Sequence, residues 1–210
     1  VSMRLGQHTL IWGESLFFTD NGVAAGMAPV DAYKALSVPN IKAQEVFLPT
    51  NQLSMSVLLS DSWVVEGYYQ FEWEKTRIPP AGSFLSSVDL LDEGGERIIA
   101  GPGAYFYRGA DKNPDAGQYG VSVRWRPVDL NLDMGVYALR YNDKTPRVNT
   151  IPSGEVDPAN GSIGEYFLDY KEKIELYGLS ANMSYGSLNL GGEISYRDGV
   201  PLRANGAVLV

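Results

Sequence analysis

The chain has 210 residues, no cysteine and a formal charge of -8 at neutral pH. The missing cysteines exclude a disulfide framework and a thiolate metal site, and the acidic balance with no basic cluster argues against nucleic acid, whose binding needs Lys and Arg to release counterions. No run of about 18 apolar residues occurs, which excludes a helical membrane span but not a β-barrel, whose strands are apolar on one face only.

Met3 to Trp12 reads as one strand. Ala28 to Leu36, with Asp31 near its start, predicts a short helix, and Pro39 and Pro49 bracket an irregular stretch. The segment 28–50 as a whole is expected to be irregular and plug-like.

Period-two alternation then begins, the mark of strands with unlike faces. Leu53, Met55, Val57 and Leu59, with Leu58 the exception between them, lead to a turn at Ser60-Asp61-Ser62, after which Trp63, Val65, Gly67, Tyr69, Phe71 and Trp73 share a face opposite Glu66, Gln70, Glu72 and Glu74, with Val64 and Tyr68. A second hairpin sets Tyr119, Val121, Val123 and Trp125 opposite Arg124 and Arg126, turns at Pro127-Val128-Asp129 and returns through Leu130, Leu132, Met134 and Val136, with Asp133 on the polar side. A third runs Tyr177, Leu179, Ala181, Met183, Tyr185, turns at Gly186-Ser187 and returns through Leu188, Leu190, Ile194 and Tyr196 opposite Asn189, Glu193 and Ser195.

The hairpin turns are short, whereas 76–118 and 142–173 are long and rich in Gly, Pro and Asp. Short turns at one end and long connections at the other are the asymmetry of outer-membrane barrels, in which the long loops are extracellular. Two aromatic girdles are expected, from Trp63, Trp125 and Tyr185 near the short turns and from Trp73, Tyr119, Tyr177 and Tyr196 near the long connections. Tyr177 and Tyr185 would stand roughly 26 Å apart along a strand, which a tilt of about 40° reduces to roughly 20 Å across the membrane, compatible with an apolar band about 25 Å tall. Glu66, Gln70, Glu72, Arg124, Asp133 and Glu193 are then expected to line an aqueous interior, because a charge facing lipid costs up to several kcal/mol. The fold expected is all-β: an antiparallel up-and-down outer-membrane barrel with a short helical or irregular segment near its N-terminus. Six hairpin strands plus one make an odd total, and Ala207-Val208-Leu209-Val210 is no aromatic-ended strand, so part of a larger barrel is expected.

Gly6-Gln7-His8-Thr9-Leu10-Ile11-Trp12-Gly13-Glu14-Ser15, Ala28-Pro29-Val30-Asp31, Leu48-Pro49-Thr50-Asn51 and Tyr69-Gln70-Phe71-Glu72-Trp73-Glu74-Lys75-Thr76-Arg77 together resemble an uncharacterised proteobacterial family, common in pseudomonads. Ala28 stands where its members more usually carry Asn. The resemblance implies an outer-membrane protein of a Gram-negative bacterium, often encoded near resistance-nodulation-division type exporters and a periplasmic partner, and brings no established activity.

Chemical motifs are sparse. The single histidine, His8, could serve Ser15 as a base in a hydrolytic site, but a polar strand residue is the simpler reading. Asp111-Lys112-Asn113-Pro114-Asp115-Ala116-Gly117 spaces oxygen donors like half a calcium loop, but Ser122 stands where a bidentate Glu belongs, and surface-turn chemistry accounts for the same residues. No enzyme activity and no cofactor is expected. The function expected is passage of a small or lipid-like molecule through a barrel in contact with outer-membrane lipid; a soluble all-β binding or adhesion module is the alternative, and an outer-membrane hydrolase a third.

Overall fold

A computed structural model describes residues 1–15, 22–86, 88–91 and 94–201. The chain's last residues, 207–210, lie outside these.

Seven strands form one antiparallel sheet: β1 (Ser2–His8), β2 (Thr50–Ser60), β3 (Trp63–Gln70), β6 (Gln118–Trp125), β7 (Leu132–Tyr141), β10 (Ile174–Tyr185) and β11 (Leu188–Asp198), each hydrogen-bonded to the next in that order. The alternating segments of the sequence lie in this sheet apart from 71–74 and 130–131, and the hairpins β2/β3, β6/β7 and β10/β11 are all present. The turns at 61–62 and 186–187 are short as expected. The middle turn spans 126–131, because β7 starts at Leu132 and not at Leu130; Leu130 N instead donates to Pro127 O, which closes a local turn before the ladder begins.

The two long connections are more than loops. They contribute β4 (Arg97–Gly101), β5 (Ala104–Arg108), β8 (Arg147–Pro152) and β9 (Ser162–Asp169), which form a second, four-stranded sheet in the order β4-β5-β9-β8. β5 and β9 run parallel. Arg147 and Asp169, partners in the β8/β9 register, form an ion pair of 2.6 Å across it.

The first fifty residues also differ in detail from expectation. β1 ends at His8, and Leu10 to Trp12 turn away onto one face of the large sheet. There Trp12, Val23 and Met27 join Tyr68, Tyr137, Leu139, Tyr141, Ile174 and Leu176 in the main core cluster. Residues 10–12 and 23–27 thus cover the sheet. The expected plug, 28–50, contributes mainly two short helices, α1 (Ala32–Ser37) and α2 (Ala43–Val46). The helix foreseen at 28–36 begins later because Asp31 is its cap: the carboxylate accepts from Lys34 N at 2.8 Å, satisfying one amide that a first turn leaves free.

Candidate functional site

The pleat sorts the side chains of the large sheet onto two unlike faces. One is open and apolar. Val57, Val65, Val123, Val136, Leu179 and Ile194 stand side by side on six neighbouring strands; Val136 is 56% exposed and Ile194 70%. Toward the short turns Trp63 and Trp125 are register partners with stacked rings 6.0 Å apart, and Tyr185 lies at the end of β10. Toward the long connections Tyr69 pairs with Tyr119, and Tyr177 with Tyr196. Six of the seven expected girdle residues are therefore on this face. Trp73 is not: it lies beyond the end of β3, packs edge-on against Tyr170, and its indole N–H donates to Asp143 O.

The other face carries the polar side chains, and the N-terminal segment covers it. Glu66 accepts from Ser122 Oγ. Arg124 and Arg126 both meet Asp133 at 2.6 Å. Gln52, Gln70 and Gln118 are register neighbours on three adjacent strands, all nearly fully buried. Gln118 Nε2 donates to Gln70 Oε1, Gln70 Nε2 to Met27 O at 2.6 Å, and Gln52 Nε2 to His8 O. Glu193 accepts from the Val23 and Glu14 amides, each at 2.7 Å, and Arg197 donates to Gly22 O. Side chains of the wall thus take up backbone groups that an irregular covering segment has no ladder to satisfy. Glu72 is the exception among the residues expected inside: it lies past the end of β3, exposed, where it accepts from Asn51 Nδ2.

Lys144 belongs to this latch and was not apparent in the sequence, because a lysine three residues past a strand reads as an ordinary loop residue. It is 4% exposed, and its Nζ donates to Gly26 O at 3.0 Å, Gln118 Oε1 at 3.2 Å and Asn142 O at 3.4 Å. Burial pushes its ammonium down to about 7, with the Asp143 carboxylate pulling the other way. Gln52 and Gln118 were also missed; both occupy the inward phase of their strands, which was the available signal.

His8 does not meet Ser15. Its Nε2 lies 2.8 Å from Ser54 Oγ and its Nδ1 2.9 Å from Gly6 O. Asp111, the first residue of the calcium-like stretch, spends its carboxylate on Arg108 and the Leu168 amide. Among the described residues no three His, Cys, Asp or Glu side chains are grouped to hold a metal.

Two cavities flank Thr145. One, of about 270 Å³, lies between the covering segment and the ends of β7, β10 and β11, with Lys144, Arg197 and Asp143 among its lining residues. The other, of about 650 Å³, lies against β8 and is lined by Ile78, Val88, Leu90, Leu91 and Val148 together with Arg147 and Asn149. Thr145 lines both.

No curated protein and no solved structure matches the chain. A family model does so over residues 1–210, and the chain belongs to that family, described as proteins of unknown function, DUF1302.

Proposed function

We propose that this chain is wall and plug of an outer-membrane β-barrel in a Gram-negative bacterium, one that passes a small or lipid-like molecule. The observation that carries the reading is the apolar row from Val57 to Ile194 on six neighbouring strands, open on one face of a sheet whose ionised strand residues lie mostly on the other. A water-soluble protein seldom leaves a continuous apolar patch of more than a few hundred Å² uncovered; facing lipid, the same surface carries no penalty. The long strands agree: β2, β7, β10 and β11 have 11, 10, 12 and 11 residues, against about 9–11 for a tilted spanning strand. Paired Trp63 and Trp125 at one end and the four tyrosines at the other then sit at the two interfaces.

In this reading the latch face is the lumen, residues 10–15 and 22–27 belong to the plug, and the second sheet stands outside the membrane. β1 and β11 are not paired with each other, so closure requires further strands. A plug held by neutral and charged hydrogen bonds must be displaced for passage, which gives a role to the periplasmic or exporter partner that the family resemblance implies.

Fractionation of the full-length protein tests the proposal. Recovery in the outer membrane, with a gel mobility that changes on heating the detergent extract, is the expected result. A periplasmic product without the heat shift would overturn it in favour of a soluble binding module.

A further inference from the structure

Lys144 presents an imbalance. Its ammonium is buried, and every acceptor it meets is neutral: two backbone carbonyls and one glutamine amide oxygen. None of the ion pairs among the described residues includes it. A buried cation is costly unless a counter-ion accompanies it, and neutral partners replace only part of the lost hydration.

The cavity beside it is open to such a counter-ion. The charged groups lining it are Lys144, Asp143 and Arg197; Arg197 donates to Gly22 O, and the Asp143 carboxylate accepts from Thr145 N. Ala28, Val30, Phe47 and Ile174 make the remaining walls largely apolar. Through Thr145 this space adjoins the larger cavity over β8, where Ile78, Val88, Leu90, Leu91 and Val148 offer an apolar lining. With Lys144 at one end and, along the other, apolar side chains broken only by Thr145, Asn149 and an Arg147 already paired with Asp169, the pair lies in the size range of small-molecule sites, roughly 300–1,000 Å³.

We propose that the two cavities form one binding site for a carboxylate amphiphile, its head group held at Lys144 and its apolar body in the cavity over β8. The carboxylate displaces the longest of the Lys144 contacts, that to Asn142 O, and supplies the missing negative charge. Because Lys144 also holds Gly26 O, head-group binding acts on the segment that covers the sheet. The charged groups around the head are Lys144 and Asp143 from the chain after β7 and Arg197 from β11, with the Tyr141 ring 5.3 Å from the Lys144 ammonium. The site does not depend on the membrane reading.

Equilibrium dialysis of the full-length protein against decanoate and decanol, at pH 6.5, tests the assignment. The acid is expected to bind about tenfold more tightly than the alcohol, the margin of a charge-assisted contact. Lys144→Met should bring the ratio close to one while Lys144→Arg preserves a preference for the acid. Val148→Trp, at a partly exposed position on β8 where folding is not at stake, should weaken both ligands together and leave their ratio unchanged. Equal binding of acid and alcohol by the wild-type protein, or a ratio unmoved in Lys144→Met, or full affinity in Val148→Trp, would each overturn the site. A protein found soluble in the periplasm with the expected ratio would keep this site and lose the barrel.

Discussion

Val23 fills the hollow that Gly178 leaves in β10: a β-carbon added at Gly178 would stand 2.5 Å from Val23 Cγ2. Val23 is wholly buried, and Gly178 lies on the inward phase of its strand, beside Tyr137 of β7. The covering segment is thus seated by shape as well as by hydrogen bonds. Gly178→Ala should destabilise the protein by about 1–3 kcal/mol, the usual cost of overpacking, read from the midpoint of urea unfolding in detergent micelles. Val23→Ala added to it should recover part of that loss, because it removes the atoms that collide; additive losses in the double variant would show that the two residues do not compete for one space.

Glu193 fixes the two sides of the same segment, Glu14 and Val23, through one carboxylate. Hydrogen bonds to a charged acceptor contribute about 1.5–3 kcal/mol. Glu193→Ala should therefore loosen the segment locally and speed hydrogen exchange of the Glu14 and Val23 amides together. Glu193→Gln keeps one acceptor oxygen and should lie between the two. Exchange unchanged in the alanine variant would mean that the seat at Gly178 holds the segment unaided.

The parts of this arrangement differ in how far the sequence discloses them, and the reason is the environment of each strand. β10 alternates cleanly because its two faces meet unlike surroundings, so Tyr177 to Tyr185 carry a period of two, and β3 does so apart from Val64 and Tyr68. β4 and β5 carry no such signal: each has five residues, and in Ala104-Tyr105-Phe106-Tyr107-Arg108 aromatic residues follow one another without a polar phase. Their sheet also joins two segments far apart in the chain through the parallel β5/β9 pair, which no local pattern announces. The covering residues 10–12 and 23–27 have no periodicity, since Trp12, Val23 and Met27 are matched to a wall built from distant strands. Gln70 could be placed on the inward phase from alternation alone; that its amide would reach Met27 O could not.

The burial of Lys144 gives stability a defined dependence on pH. The amine titrates at about 7 in the folded protein and near its ordinary 10.5 when exposed. Between those values the unfolded chain binds the additional proton, so stability rises with pH across this window and the full penalty applies below it. Lys144→Met should flatten that rise by a few kcal/mol, measured as urea midpoints at pH 6.5, 8 and 9.5. The same slope in wild type and variant would place the cause in another group.

Val136 occupies the middle of the apolar row, between Val123 and Leu179, and separates the two environments in which that row could lie. Arginine there should cost about 2–4 kcal/mol if the face meets hydrocarbon near the midplane, but no more than about 0.5 kcal/mol if it meets water, since exposed substitutions away from special features are nearly neutral. Val136→Arg is accordingly expected to reduce the heat-modifiable folded form in the outer membrane, and Val136→Leu to leave it intact. Ile99→Arg serves as the matched control: Ile99 is 72% exposed on β4 of the second sheet, which the barrel reading places in water, so this change should have no effect on the folded form. Equal tolerance of arginine at both positions would remove lipid from the apolar face; loss at Val136 alone would assign the face to the bilayer.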